Sequence, residues 1–506
     1  MTQDESADDA LAGLEPAELW RQFDAIRQIP RPSLHESGVR DYLRGLAQSK
    51  GWEAVEDGGG NLVLRVPGRG RGRNSKLLAI QGHMDMVCEK RPDVEHDFYA
   101  DPIRLQRRRA TVRGGEREIL HADGTTLGAD NGIGCAAGLA IALTPDLDHP
   151  PLELLFTADE EQGMTGAFNL DPALVRARRM LNFDAEMEGH VYLSCAGGRE
   201  LHAVWDLDRD RRCSDDVAVR LTIGGLRGGH SGVDIHEGRG NAIALMIELM
   251  TAPDVVLEGV HLASCNGGGR PNAVAREAET LLWCARSRVA ALGEAFEQAG
   301  ARIRERMSAV DPGMFVRFEI LDDDETKAAA VPGPVSAMTS RAILEALKNQ
   351  RDGVLAWSQV ISGLVETSNN LGSVRTEGDS LRLIQMGRSS KDNALESFQE
   401  RCELALEASG ATVEFRHAFP GWEARTDTEL VEKAQTVYRQ LFGRAVKLEA
   451  IHAGLECGVI GKRIPGIEMI SFGPDIVDAH TPSESLLLDT VEPFWRFAAA
   501  LVAALC

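Results

Sequence analysis

Three stretches of this chain end in side chains that can hold a cation, and each is preceded by an apolar run. Pro151-Leu-Glu-Leu-Leu-Phe-Thr-Ala-Asp-Glu-Glu-Gln162 contains a short buried-strand pattern, Leu152 to Thr157, followed at once by Asp159, Glu160 and Glu161. Leu77-Leu-Ala-Ile-Gln81 delivers His83-Met-Asp85, and Met180-Leu-Asn-Phe183 delivers Asp184. Between them, Leu127-Gly-Ala-Asp130-Asn-Gly-Ile-Gly134 places Asp130 at the cap of a helix-like run over 131–143. Taken singly, these are a solvated acidic turn, a core histidine and a helix cap. Together they are a cluster of carboxylates that would repel one another, each buried ion costing several kcal/mol. Two divalent cations resolve that conflict, and N/O ligation suits zinc, manganese or cobalt.

Each residue type then has a job. His83 is a ligand, and Asp85 two residues on is the partner that fixes its ring. Asp130 bridges two cations. Neighbours on an extended chain point to opposite sides, so Glu160 and Glu161 are expected to differ, with Glu161 a ligand and Glu160 a general base. A two-metal site lowers the pKa of a held water towards about 7. A carboxylate must still take its proton and pass it on.

The elements that must position these groups alternate between strand and helix, which argues an α/β fold with a mostly parallel sheet covered on both faces. Pro16 opens a first helix, Ser33-Leu-His-Glu36 reads as the capping box of a second, and Asn61 to Val66 is a strand. A loop of charged residues is expected between the His83 strand and the Asp130 helix. After residue 197 the texture changes. Val217 to Ile223 alternates like a half-exposed strand, Asn241 to Met250 reads as a helix, and Leu281 to Cys284 and Val316 to Ile320 read as strands. Residues 198–414 are therefore read as an inserted α+β domain with an antiparallel sheet, long enough for two similar halves but without a visible sequence repeat. Segments 1–197 and 415–506 form the domain it interrupts. If the returning segment rejoins the first sheet, His480 can complete the metal site. On the inserted domain, the glycines of Gly228-Gly-His230-Ser-Gly232 would let His230 approach a substrate closely. Gly267-Gly-Gly-Arg-Pro-Asn272 and Met386-Gly-Arg388-Ser-Ser390 are polar tips.

The chain has 506 residues, which suggests two or three domains. A net charge of −22 argues against nucleic acid or an anionic membrane as partner. The first dozen residues look frayed, and Met1-Thr-Gln-Asp-Glu-Ser has no signal-peptide core. Nine scattered cysteines without a Cys-x-x-Cys pair fit free thiols in a reducing cytoplasm. Gly-x-Ser-x-Gly, His-Glu-x-x-His and phosphate-loop motifs are absent.

Gln-Gly-His83-Met-Asp85-Met-Val, Gly-Thr-Thr-Leu-Gly-Ala-Asp130-Asn-Gly-Ile-Gly, Glu160-Glu161-Gln-Gly-Met and Gly-Gly-His230-Ser-Gly resemble the bacterial aminoacyl-histidine dipeptidases. These are cytosolic metallopeptidases that release histidine from Xaa-His dipeptides such as carnosine. The likeness continues through Asn272-Ala, Gly-Arg388-Ser-Ser, Pro-Gly-Trp422, His452-Ala-Gly-Leu-Glu-Cys457 and His480. It implies a zinc-peptidase domain split by a lid, a small peptide as substrate, and a homodimer. His83, Asp130, Glu161, Asp184 and His480 would hold two ions, most often zinc, with Asp130 bridging and Glu160 the base. His230 would stabilise the oxyanion, while Asn272, Arg388 and the backbone near Gly454 would hold the substrate's carboxylate end. Relatives often carry Thr-Asp-Ser-Glu-Glu-Glu-Gly where this chain has Phe-Asp184-Ala-Glu-Met-Glu-Gly, a less polar surround. An N-acyl amino acid deacylase, a broader dipeptidase and a non-catalytic metal binder are the alternatives. A storage site has no need of Glu160.

Overall fold

A computed structural model describes residues 10–506; most of the frayed start, including Met1-Thr-Gln-Asp-Glu-Ser, lies outside the described residues. The chain divides into two units. One comprises Met1–Ser194, Ala424–Ala450 and Leu455–Cys506, and the other Cys195–Glu423 and Ile451–Gly454. The second unit runs past residue 414 because the strand Thr412–Phe419 pairs with Gly197–Asp206. It takes back Ile451–Gly454 because Ala196 N donates to the carbonyl of Ile451 at 3.0 Å.

The first unit is built on an eight-stranded mixed sheet. Its centre is parallel: Leu152–Thr157, Leu78–His83, Arg179–Asn182 and Glu468–Ser471 run side by side in that order. The first three are buried at every position, as strands covered on both faces must be. Helices Ala17–Arg27, Ala129–Leu143 and Leu488–Ala504 supply side chains to the same core. His83 is paired with Thr157 at the last rung of their ladder, so the His83-Met-Asp85 segment and the acidic turn leave the sheet at the same level. Asp184 follows Arg179–Asn182 at that end too, where open α/β sheets gather ligands.

The charged segment expected as loop contains a hairpin, Leu105–Val112 with Gly115–Ala122. Arg113 and Gly114 at its tip both have positive φ, 51° and 80°, as a two-residue turn that matches strand twist requires. Two short strands, Ile476–Val477 and Ser485–Leu487, extend this hairpin into a four-stranded antiparallel sheet. The loop between those two carries His480.

The second unit is a nine-stranded antiparallel sheet made of one design used twice. Its inner half is strand Asp216–Gly224, helix Ala242–Met250, strands Val260–Gly268 and Ala278–Ala285, helix Val289–Met307 and strand Phe315–Leu321. In sheet order the strands of this half read fourth, first, third, second. Its outer half is strand Gly197–Asp206, helix Ala337–Lys348, strands Val365–Glu377 and Ser380–Ser389, helix Asp392–Glu407 and strand Thr412–Phe419. These strands have the same pairings, read from the opposite side: second, third, first, fourth. The halves meet second strand to second strand, at Gly267↔Val374 and Gly268↔Ser373. The inner half interrupts the outer one after its first strand, so a linear repeat cannot show in the sequence. Strand Gly353–Trp357 is an addition to the outer half, paired with Val365–Glu377.

Candidate active site

The Asp130 segment begins with a turn rather than a side-chain cap. Gly128 takes φ of 67°, and the Asp130 carboxylate, freed from capping, points at two imidazoles. His83 Nε2 lies 3.0 Å from Asp130 Oδ1, and His480 Nε2 lies 3.1 Å from Asp130 Oδ2. His83 Nε2 is also 3.4 Å from Asp184 Oδ1, and His480 Nε2 is 3.1 Å from Glu161 Oε2. Two donor sets result, His83/Asp130/Asp184 and Asp130/Glu161/His480, the donor atoms of each lying within 4.8 Å of one another. Asp130 is common to both. A third grouping, His83/Glu160/Glu161, places Glu160 beside them.

Glu160 and Glu161 differ for another reason than strand alternation. Asp159 sits in the left-handed region at φ 51°, and Glu160–Gly163 is a helical turn. Successive residues therefore diverge by about 100°. Glu161 faces His480, whereas the Glu160 carboxyl has no hydrogen-bond partner among the described residues. Burial, and after it the charges of Asp184, Glu456 and Glu161, push the Glu160 carboxyl well above the ordinary range.

Asp85 ties the parts together. Its Oδ1 lies 3.3 Å from His83 Nδ1 and accepts the amide of Glu160 at 3.0 Å; its Oδ2 accepts the Glu161 amide at 3.2 Å and the Ser33 hydroxyl at 2.7 Å. This corrects the reading of Ser33 and Glu36 as a capping box. The second helix starts later, at Ser37, without a side-chain cap. Glu36 Oε1 instead accepts the amide of Asp159 at 3.0 Å and so holds the acidic turn.

Several neighbours gave no sequence signal as site residues. Arg31 donates to the carbonyls of Met84 and Asp85 at 3.1 and 2.7 Å and to that of Gly128. Glu456, fully buried, accepts Gln81 Nε2 at 2.6 Å and Thr157 Oγ1 at 2.7 Å. Glu186 is pushed up to about 8 by burial and then by Asp130. Gly134, part of the Asp130 motif, passes so close to Phe183 that a Cβ would sit 2.1 Å from its carbonyl oxygen.

The donor chemistry fits two divalent cations. Asp184 Oδ1 and Glu161 Oε1 are buried without a hydrogen-bond partner, which polar atoms in folded proteins rarely are. The carboxylates of Asp130 and Glu161 draw positive charge strongly enough to raise His480 to about 11.

In the second unit, His230 and Asn272 are neighbours through a two-stranded ladder, Gly229–His230 with Ala273–Val274, and Ser231 N donates to the Asn272 carbonyl at 2.8 Å. His230 Nδ1 accepts amides of Gly232 and Val233, both at 3.1 Å, which leaves the proton on Nε2. Burial and then Arg388 hold this imidazole below its usual range, hence neutral. Arg388 is 5% exposed with no carboxylate partner among the described residues, and its Nε is unsatisfied. Gly454 lies against Phe419, whose ring would stand 3.0 Å from an added Cβ. His452 bonds Ser368 Oγ at 2.7 Å, and burial, then Arg388, lowers it to about 3.

A parallel sheet ending in paired His/carboxylate sets, with one glutamate left over, defines a metal-dependent hydrolase. The chain belongs to peptidase family M20/M25/M40, whose model matches residues 79–504. It is 33% identical over 492 residues to the cytosol non-specific dipeptidase of Escherichia coli (strain K12), covering 97% of this chain and 98% of that one. It is similar to the crystal structure of an aminoacylhistidine dipeptidase from Vibrio alginolyticus, with 34% identity, TM-score 0.90 and 98% of both chains covered. A tripeptidase from Staphylococcus aureus shares the fold at 14% identity, with TM-score 0.54 and coverage of 97% and 99%. No helix among the described residues is long and apolar enough to cross a membrane.

Proposed function

We propose that this metal-dependent dipeptidase hydrolyses Xaa-His dipeptides, with Glu160 as general base. The observation that carries the reading is the shared Asp130 between two imidazole-carboxylate sets, with the Glu160 carboxyl alongside and without a hydrogen-bond partner among the described residues. His83, Asp130, Glu161, Asp184 and His480 would hold two ions, for which zinc is the first choice and manganese or cobalt the others. When bound, such ions supply a water of lowered pKa as nucleophile. Glu160 takes that water's proton and returns it to the leaving amine. Asp85 keeps His83 and the Glu160 amide in fixed relation. His230, neutral with its proton on Nε2, donates to the oxyanion. Arg388, buried and without a carboxylate partner among the described residues, asks for an anion, and the substrate's carboxylate end supplies one; the resemblance gives Asn272 and the Gly454 backbone the same role.

A broader dipeptide range is the second reading, favoured by the likeness to the non-specific dipeptidase of E. coli. That likeness, to a cytosol enzyme, and nine free cysteines support a cytosolic setting. The net charge of −22 supports the absence of nucleic-acid or anionic-membrane partners. The implied homodimer, and the lid role of the inserted domain, are proposed on the resemblance alone.

The test is a dipeptide panel that includes carnosine and its N-acetylated analogue, run before and after chelation and zinc return. Turnover of free-amine dipeptides, lost on chelation and restored by zinc, is expected. Cleavage of the acetylated analogue alone would make the protein a deacylase. Glu160→Gln should keep its metal while kcat falls about 10²- to 10⁴-fold; near-normal turnover would remove Glu160 from its role.

A further inference from the structure

Glu484 belongs to none of the donor sets, yet its carboxylate accepts four backbone amides. Oε2 accepts the amides of Leu127 at 2.8 Å and Gly128 at 2.9 Å, and Oε1 accepts those of Ala129 at 2.8 Å and Asp130 at 3.3 Å. The side chain is buried, 2% exposed. Its four donors are the whole turn from which Asp130 projects. The opposite side of that turn is held by Arg31, which donates to the Gly128 carbonyl and ties it to the His83-Met-Asp85 segment.

Glu484 is also the last residue of the loop that carries His480, just before the return strand Ser485–Leu487. That loop needs an anchor. His480 is 53% exposed at its side chain, so packing does little to fix the ring. His480 and Asp478 both hold positive φ, 63° and 53°, a conformation that costs a residue with a side chain about 1 kcal/mol or more. The loop's own bonds, Thr481 Oγ1 to the Asp478 carbonyl and Glu484 N to the Thr481 carbonyl, keep its shape but attach it to nothing else. The Glu484 carboxylate makes that attachment, four residues from His480 and directly onto the turn of Asp130.

We propose that Glu484 is a positioning residue that sets His480 and Asp130 in register, so that the second donor set, Asp130/Glu161/His480, is assembled by one carboxylate clamping two segments more than three hundred residues apart. This rests on the two-cation reading above. It assigns Glu484 an unequal effect: the ion held by His480 loses both its loop anchor and its register with Asp130, whereas the one held by His83 and Asp184 keeps two ligands that Asp85 and the sheet orient.

The experiment titrates the metal-free full-length chain with Zn²⁺ against a chromophoric chelator, for wild type, Glu484→Gln and Glu484→Asp, with thermal unfolding of the metal-free chains alongside. A glutamine turns an NH₂ towards two of the four amides, so the clamp is lost on one side; aspartate keeps both oxygens on a shorter arm. Expected is a first equivalent bound nearly as in wild type, and a second weakened about 10- to 100-fold in the glutamine variant and less in the aspartate one, with kcat falling and KM little changed. Two equivalents at wild-type affinity in both variants would overturn the proposal. So would equal weakening of both equivalents with a lowered unfolding temperature, the pattern of a merely structural residue. If the glutamine variant does not fold, the aspartate variant decides by the same criteria. Fewer than two equivalents on wild type would overturn the two-cation reading and this proposal with it, whereas unchanged variants beside a two-ion wild type overturn this proposal alone.

Discussion

In the second unit, Asn241 Nδ2 reaches Asp352 Oδ1 at 2.9 Å, Asn370 Oδ1 at 3.1 Å and the Leu371 carbonyl at 3.0 Å. Asn370 Nδ2 donates to the carbonyls of Pro271 and Ala273, the residues on either side of Asn272. Asn369 bonds Gln385, which bonds Gln350 in turn. In the first unit, the groups around Asp130 are carboxylates and imidazoles, with acceptors facing acceptors and Asp184 Oδ1 and Glu161 Oε1 buried and unsatisfied. Both regions bury polar side chains. One is an amide network in which each donor meets an acceptor, although the Asn369 Oδ1 acceptor has no partner among the described residues, and it holds a loop in place. The other is short of positive charge, and that shortage is what a cation answers. Polarity in a core is therefore a weak sign of chemistry, and unmatched polarity a strong one.

The comparison can be broken most sharply at Asp130. Asp130→Ala removes the group both donor sets share, so metal content should fall below two equivalents. Turnover should fall by more than the roughly 100-fold typical of losing a ligand's outer partner. Retention of both ions, measured by elemental analysis, would mean the shared carboxylate is not the organiser. Asn241→Ala tests the other side. It strips the donors from Asp352, Asn370 and Leu371 and also removes the cap of helix Ala242–Met250, where Asn241 Oδ1 accepts the amides of Ile243 and Ala244. A cost of about 2–4 kcal/mol in denaturant unfolding is expected, with metal content unchanged.

The same network carries a pH dependence. Burial raises the Asp352 carboxyl from 3.8 to about 7. The folded chain thus keeps a proton that the unfolded chain releases near pH 4. Stability from this group is fully present below that pH and is lost as pH rises towards 7, at up to about 1.4 kcal/mol per pH unit. The bonds to Asp352 from Leu371 N at 2.8 Å and Asn241 Nδ2 at 2.9 Å both fall on Oδ1, so an asparagine keeps them and has no proton to lose. Asp352→Asn should therefore become steadily more stable than wild type between pH 4 and 7. Parallel stability curves would show that Asp352 is not the group responsible.

The strand ends that carry the proposed ligands were legible in the sequence because an apolar run followed by His or carboxylate is a local signal. Even His480, almost three hundred residues from Asp184, could be read from its place after the last parallel strand. What escaped was whatever acts at a distance through the backbone. Ser33 and Glu36 match a capping box in spacing, and only the fold shows that they hold Asp85 and the Asp159 turn. Glu484 clamps amides, which carry no residue identity. The Leu105–Val112 hairpin hid in a charged stretch because one of its faces is largely exposed. The doubling of the second unit was illegible for a topological reason, since nesting one copy inside the other removes any fixed period.

That nesting has a consequence of its own. The chain departs into the inner half at Asp208 and comes back at Ser336, where Ser336 N donates to the Asp208 carbonyl at 2.6 Å and Arg209 bridges Val335. Exit and return are one place, and the two halves share a two-pair ladder flanked by the Asn241 and Asn370 bonds. The inner half is thus a cassette: it could be spliced out or exchanged without rerouting the strands that remain. His230 and Asn272 would leave with it, and Arg388 would stay behind.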